Sequence, residues 1–267
     1  MSTLTLEAPA PILLDRRPWP TRVADGWHQL EMLVRWQLLR SKESLPLLVL
    51  VQLLLAVSTV IGYGLVVGDP GPIGGLYLAT GAPTVTLVMV GLVMTPQAVA
   101  QARTEGSLDW MRTLPVPRGL FLVADLLVWT AIALPGMVVG LLVGAWRFDV
   151  DLSPTWWIVP GALVVSLTAA AVGYAVATLL APTLAQLVSQ VFVFLIMLFS
   201  PVCFPADRLA PWAQHLHQWL PFQPMAEVMR AGLAPHAFTL PARSVVVLLV
   251  WCVLAVAGAA AALRRRA

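Results

Sequence analysis

The chain has 267 residues, of which 59% are apolar and only 11% charged, and its formal net charge is +3. Soluble domains carry about a quarter charged residues, so the composition excludes a water-soluble enzyme domain and points to an all-α polytopic membrane protein. The small positive charge does not indicate nucleic-acid binding, because the 16 Lys and Arg are scattered along the chain and membrane topology accounts for them first.

Residues 1–21 read as a flexible, Pro-containing cytoplasmic tail. No basic segment leads into an apolar one there, so a cleaved signal peptide is not expected. From 22 to 41 the pattern becomes an amphipathic helix: Val23, Trp27, Leu30, Val34 and Leu38 recur at helical spacing, opposite Asp25, His28, Arg35 and Arg40. Two Trp and several Arg suit a helix lying in the headgroup region. Six apolar stretches follow, at about 45–67, 76–100, 120–146, 156–180, 184–204 and 244–263. Each is close to the roughly 20 residues that a hydrocarbon core of about 30 Å requires, so residues 22–267 read as one transmembrane domain. In the third stretch Pro135 predicts a kink, and Gly140 and Gly144 a close helix contact.

With the N-terminus inside, 12 of the 16 basic residues fall on the cytoplasmic side, leaving Arg147, Arg208, Arg230 and Arg243 outside. That asymmetry places both termini in the cytoplasm. The outer side then holds the Gly/Pro-rich loop GDPGPIGG and a longer segment from Pro205 to Pro241. In the latter, Trp212, Leu216, Trp219 and Leu220 form a stripe, broken by Pro221 and Pro224 and followed by Met225 to Leu233. Two short re-entrant helices packed against the protein fit this pattern.

A charged island, Gln101 to Arg118, interrupts the apolar runs on the cytoplasmic side. Ser107 can cap a helix there, Asp109 suits its first turn, and Pro115 and Pro117 stop it. The predicted helix, about 107–114, presents Trp110, Met111 and Leu114 beside charges, as a docking helix would.

Several chemistries find no support. The one Lys, Lys42, lies between Ser41 and Glu43 with no glycine nearby, so a phosphate-binding loop is missing. His215 and His217 are two residues apart and diverge on a helix, unlike a helical zinc pair. No ionisable residue sits at the centre of a stretch, where it would argue for ion coupling; Asp125 is a turn or two inside the third, and Glu227 belongs to the outer segment. Cys203 and Cys252 are expected at different depths, as two separate thiols. The chain therefore reads as neither an enzyme nor a cofactor carrier. Its apolar stretches offer mildly polar and aromatic groups instead. The first has Gln52, Thr59 and Tyr63, and the fifth has Gln186, Ser189, Gln190, Phe192, Phe194, Met197 and Phe199. Such residues suit either a path for bulky apolar or amphipathic molecules or helix–helix packing.

The island has the form E-G-[ST]-L-[ED]-x-[LM]-x-T-L-P-V, filled by Glu105, Gly106, Ser107, Leu108, Asp109, Met111, Thr113, Leu114, Pro115 and Val116. Together with FSPVCFP at 199–205 and LPFQPMAEVMRAGL at 220–233, this resembles an ABC-2 type transporter permease. The resemblance implies that Glu105, Gly106, Ser107, Asp109, Trp110, Met111, Arg112 and Leu114 form a coupling helix that docks on an ATPase subunit. It implies two ATPase copies, which carry the ATP and Mg, and a second permease, identical or paralogous, met mainly through the first and fifth spans. The expectation is an exporter of a hydrophobic or amphipathic small molecule (a drug, antibiotic or lipid-like compound) in the cell membrane. A lipid-linked or polysaccharide cargo is the alternative, and a six-span secondary transporter or channel the more distant one.

Overall fold

The computed structural model describes residues 19–40, 42–68, 70–104 and 118–265, and these are helical along most of their length. We number the helices α1 (Trp19–Arg40), α2 (Leu45–Val67), α3 (Gly71–Met89), α4 (Thr95–Thr104), α5 (Arg118–Phe148), α6 (Ile158–Leu179), α7 (Pro182–Phe199), α8 (Pro211–His217), α9 (Phe222–Leu233) and α10 (Ala242–Arg265). A π-helical turn, Val90–Met94, joins α3 to α4, so Gly71–Thr104 is a single rod. Five stretches are long and apolar enough to cross a membrane: Leu45–Val67, Gly71–Thr104, Gly119–Phe148, Ile158–Leu179 and Ala242–Ala262. Helix α7 is apolar but has 18 residues, about 27 Å at 1.5 Å per residue.

Prolines set several boundaries away from where hydropathy alone places them. The GPIGG part of the expected outer loop is helix: α3 starts at Gly71, with Pro72 in the first turn where a missing N–H costs nothing. Positive φ angles at Gly68 and Gly71 make the tight turn before it. The fifth stretch, expected at 184–204, runs instead from Pro182 to Phe199. Pro182 starts it early, and Ser200, the residue before Pro201, turns extended and ends it. Residues 200–204 leave the helix. The amphipathic helix likewise begins earlier than expected, at Trp19.

The rod is the centre of the bundle. Inside this single chain 83% of its apolar window is buried, against 17% for α2 and 22% for α10. Helix α5 packs along both α2 and the rod, α6 crosses the rod and carries α10, and α9 inserts against α3, α6 and α10. Small residues make the close contacts: Gly140 of α5 rests on Ala56 and Pro83, and Gly144 on Ala79, as their spacing predicted. The outer faces are apolar. Leu47, Leu50, Leu54 and Leu65 of α2, and Val246, Leu249, Val253 and Leu254 of α10, are exposed. Such faces suit lipid tails, because the backbone groups within a helix are paired along it. The buried hydroxyls of Thr80, Thr84 and Thr86 donate to carbonyls four residues back, Leu76, Thr80 and Ala82, so none is stranded in the core.

The π turn has a cause in Pro96, which lacks an N–H and whose ring would crowd the carbonyl four residues back in a regular helix. Widening the turn relieves this, and the Thr95 N–H bonds to Val90, five residues back. At this turn the rod meets α6 backbone to backbone. A Cβ added to Gly173 would lie 1.9 Å from the Gly91 carbonyl oxygen, and one added to Gly91 would lie 2.3 Å from the Ala169 carbonyl carbon. No side chain fits at either glycine position.

Gly173→Ala and Gly91→Ala should therefore each lower stability by about 2–3 kcal/mol, the upper part of the overpacking range. Gly258→Ala, with nothing within 4 Å of the added methyl, should be neutral or stabilising by up to about 1 kcal/mol. Thermal unfolding of the detergent-purified chain, followed by the fluorescence of its 11 Trp, measures both. Equal stability of all three variants would remove the tight crossing.

Candidate functional site

The expected coupling helix, with Glu105, Gly106, Ser107, Asp109, Trp110, Met111, Arg112 and Leu114, lies outside the described residues. Its two stems do not: α4 leads into it at Thr104, and α5 leaves it from Arg118. Each stem is tied to a different part of the bundle.

On the first stem, Arg103 reaches across to the end of α6. Its Nη1 donates to the carbonyls of Ala177 at 2.6 Å and Leu180 at 2.9 Å, and its Nη2 donates to Thr178 at 2.9 Å. The last carbonyls of a helix have no partner within it and carry the negative end of its dipole. A planar guanidinium presents several donors in one fork and stays charged. Arg103 is thus a side-chain cap for α6, supplied by another helix. Because Leu180 and Ala181 are extended and Pro182 opens α7, the same three bonds fix the turn between α6 and α7.

On the second stem, Asp125 of α5 accepts a hydrogen bond from Gln37 Nε2 of α1 at 2.6 Å. Seven residues, roughly 10 Å of helix, separate Asp125 from Arg118. This bond joins the amphipathic helix to the bundle beside the island. Asp125 therefore has a structural partner at the island end of its stretch.

Helix α7 touches its own chain along one narrow stripe, with Ala185, Ser189, Val193 and Ile196 buried at helical spacing. Of the residues expected to line a path, Gln186, Gln190, Phe192, Phe194 and Phe199 are exposed on this helix, whereas Ser189 faces inward. Met197 belongs to α7, but its side chain lies outside the described set. Those of α2 divide. The Thr59 hydroxyl is held by the Leu55 carbonyl at 2.7 Å, and Tyr63 is half-buried against the core. Gln52 is wholly buried, and its Nε2 donates to Met94 Sδ at 3.1 Å. It braces the rod at the last residue of the π turn and is not on the path-lining face.

The far end of α7 is held by a second arginine. Arg230 of α9 is 5% exposed, and its Nη2 donates to the carbonyls of Pro201 and Val202, just past α7. Its guanidinium lies 4.4 Å from the centre of the Tyr77 ring on α3, a cation–π contact. Burial pulls the Arg230 pKa below the usual arginine value, opposed by nearby Tyr77, Cys203 and Glu227. Cys203, beside this contact and buried, and Cys252 are both free thiols. Helix α7 is thus pinned at both ends by arginines that bind main-chain carbonyls. Neither contact follows from the sign of the charge alone.

The family model described as ABC-2 type transporter matches residues 28–234, from within α1 through α9. The chain belongs to the ABC-2 type transporter family. It is accordingly the membrane component of an ABC transporter, a permease that works with an ABC ATPase. No curated protein gives a match. Within this ABC-2 permease the matched region contains the island, both of its stems, and the two arginine contacts that bracket α7.

Arg103→Gln should cost roughly 2 kcal/mol, the scale of hydrogen bonds to a charged group, and should loosen the α6–α7 turn selectively. Hydrogen exchange followed by mass spectrometry should show faster exchange across 176–186, with the α9 region unaffected. Uniform exchange in both proteins would contradict the capping role.

Proposed function

We propose that this chain is the permease subunit of an ATP-driven exporter, moving a hydrophobic or amphipathic small molecule, such as a drug, antibiotic or lipid-like compound, out of the cytoplasm or inner leaflet. Two permease chains, identical or paralogous, work with two ATPase subunits in the cell membrane. Both termini and the island face the cytoplasm, and α7 with the residues after it forms the sixth crossing. ATP and Mg belong to the partner subunits, and this chain carries no cofactor. The family assignment supplies the class; direction, stoichiometry and cargo are the finer reading.

The observation that carries this reading is the Arg103 contact. Arg103 lies two residues before Glu105, and its guanidinium grips the turn into α7. A push or pull on the island, transmitted by Glu105, Gly106, Ser107, Asp109, Trp110, Met111, Arg112 and Leu114, would move α4 and would carry the start of α7 with it. The rod would pivot at its glycine crossing with α6, where the π turn already departs from regular helix. Helix α7 offers the surface that would respond. Gln186, Gln190, Phe192, Phe194 and Phe199 face outward from a chain that covers only one stripe of it. Amides among aromatic rings suit an amphipathic cargo, or a second permease across the path. Thr59 and Tyr63 of α2 would join them, and Met197 stays part of this proposal, while Ser189, buried against its own chain, would not. Gln52, sealed against Met94, has no part in that lining.

Glu105→Ala and Trp110→Ala should each reduce recovery of the ATPase with the affinity-purified permease by at least about tenfold, a loss of about 1.4 kcal/mol or more in binding. The unfolding temperature of the permease should not change. Dye efflux in proteoliposomes should require ATP and should fall in parallel. Full ATPase recovery and full transport in both variants would defeat the docking role. Transport driven by a substrate gradient alone, without an ATPase, would defeat the exporter reading itself.

A further inference from the structure

At the end of the bundle opposite the island is a cavity of about 250 Å³ that the coupling account does not use. Its walls come from four parts of the chain. Tyr77 belongs to the start of α3, Pro201 to the segment after α7, Gln223, Glu227 and Arg230 to α9, and Phe238 to the lead-in to α10. Phe238 packs edge-on against Tyr77, with ring centres 5.1 Å apart. Drug-sized sites occupy about 300–1,000 Å³ and are mostly apolar. This cavity is smaller and is lined by a carboxylate, a guanidinium and an amide, so it fits a compact polar group.

The two charges on its wall are not paired with each other. Glu227 accepts from Gln223 Nε2 at 2.7 Å and from the Ser244 hydroxyl, while Arg230 Nη2 donates to the Pro201 and Val202 carbonyls. Each carboxylate oxygen retains acceptor capacity after one bond. Two buried atoms on residues that line the cavity have no partner at all, Arg230 Nε, a donor, and Gln223 Oε1, an acceptor. Leaving such atoms unmatched costs free energy. Opposite charges three residues apart on one helix, each bound only to neutral groups, complement a ligand that carries its own opposite charges.

We propose that this cavity binds a zwitterionic group with an N–H-bearing ammonium beside an oxyanion, the ammonium taken by Glu227 and Gln223 and the oxyanion by Arg230. Phosphoethanolamine has this chemistry, either as a phospholipid headgroup or free in solution. Ala237 and Thr239, both exposed, border the cavity and give it access from the surface. An occupant would touch the ends of α3, α7 and α10 at once, and so would hold that end of the bundle closed.

Native mass spectrometry of the full-length chain, purified with equal amounts of phosphatidylethanolamine, phosphatidylcholine and phosphatidylglycerol, tests this directly. The expected result is one retained phosphatidylethanolamine per chain, at least about fivefold over the other two, because choline lacks N–H donors and glycerol lacks the cation. Glu227→Gln, which removes the carboxylate charge, and Ala237→Trp, which fills the cavity and leaves the charges in place, should each abolish the preference. Helical circular dichroism confirms that both variants fold, and Glu31→Gln on α1 should retain the preference. If free phosphoethanolamine stabilises the chain in phosphatidylcholine nanodiscs as much as the lipid does, the site takes the soluble zwitterion. Equal retention of the three lipids with no response to free phosphoethanolamine would overturn the proposal. So would a preference that survives both variants.

Discussion

Three hydrogen bonds from Arg103 to the carbonyls of Ala177, Thr178 and Leu180 hold the architecture of this permease at the point where force would enter it. The physical need for them is local. Helix α6 must stop before Pro182, and a stopped helix leaves carbonyls that neither its own backbone nor lipid can satisfy. A charged donor from α4 meets that need, and in doing so joins α4 to the α6–α7 turn more tightly than apolar contact would. Arg230 solves the same problem beyond the other end of α7, where the Pro201 and Val202 carbonyls lie outside any helix. Between these two anchors α7 has one buried stripe, so its position is set mainly by its ends.

The rod from Gly71 to Thr104 gives those anchors their leverage. It runs from Tyr77, which stacks under Arg230, to Arg103 beside the island. Of the five membrane-length stretches, its apolar window is the most buried. A closely packed body transmits displacement, since packed interiors are dense and resist compression. Its one irregular turn coincides with its closest contact, Gly91 against Gly173. That coincidence gives the rod a pivot near its middle and an arginine contact toward each end.

Much of this fold was legible in the sequence because lipid imposes a strong and simple pattern. The all-helical class, five of the six expected apolar stretches and the packing of Gly140 and Gly144 follow from hydropathy and residue size. Prolines moved the boundaries of α3 and α7, and Pro96 was the available signal for the π turn. The arginine contacts were not legible, because their partners are main-chain carbonyls, which every residue possesses and no side chain advertises. Arg103 and Arg230 therefore looked like topology charges. Gln52 misled in another way: in α2 it is the small residues Ala56 and Gly64 that mark the inner face, and an amide on that stripe points inward with them. The island itself was prominent in the sequence as a charged break, and the structure contributes what its stems hold.

The central claim is that displacement of the island reaches α7 through Arg103. It can be measured as a distance between spin labels at Leu47 of α2 and Thr183 of α7, both exposed at the island end of the bundle, in the permease bound to its ATPase partner with and without nucleotide. The account predicts a nucleotide-dependent change in this distance that disappears in Arg103→Gln while the ATPase remains bound. The same change in the variant as in the parent protein would contradict it.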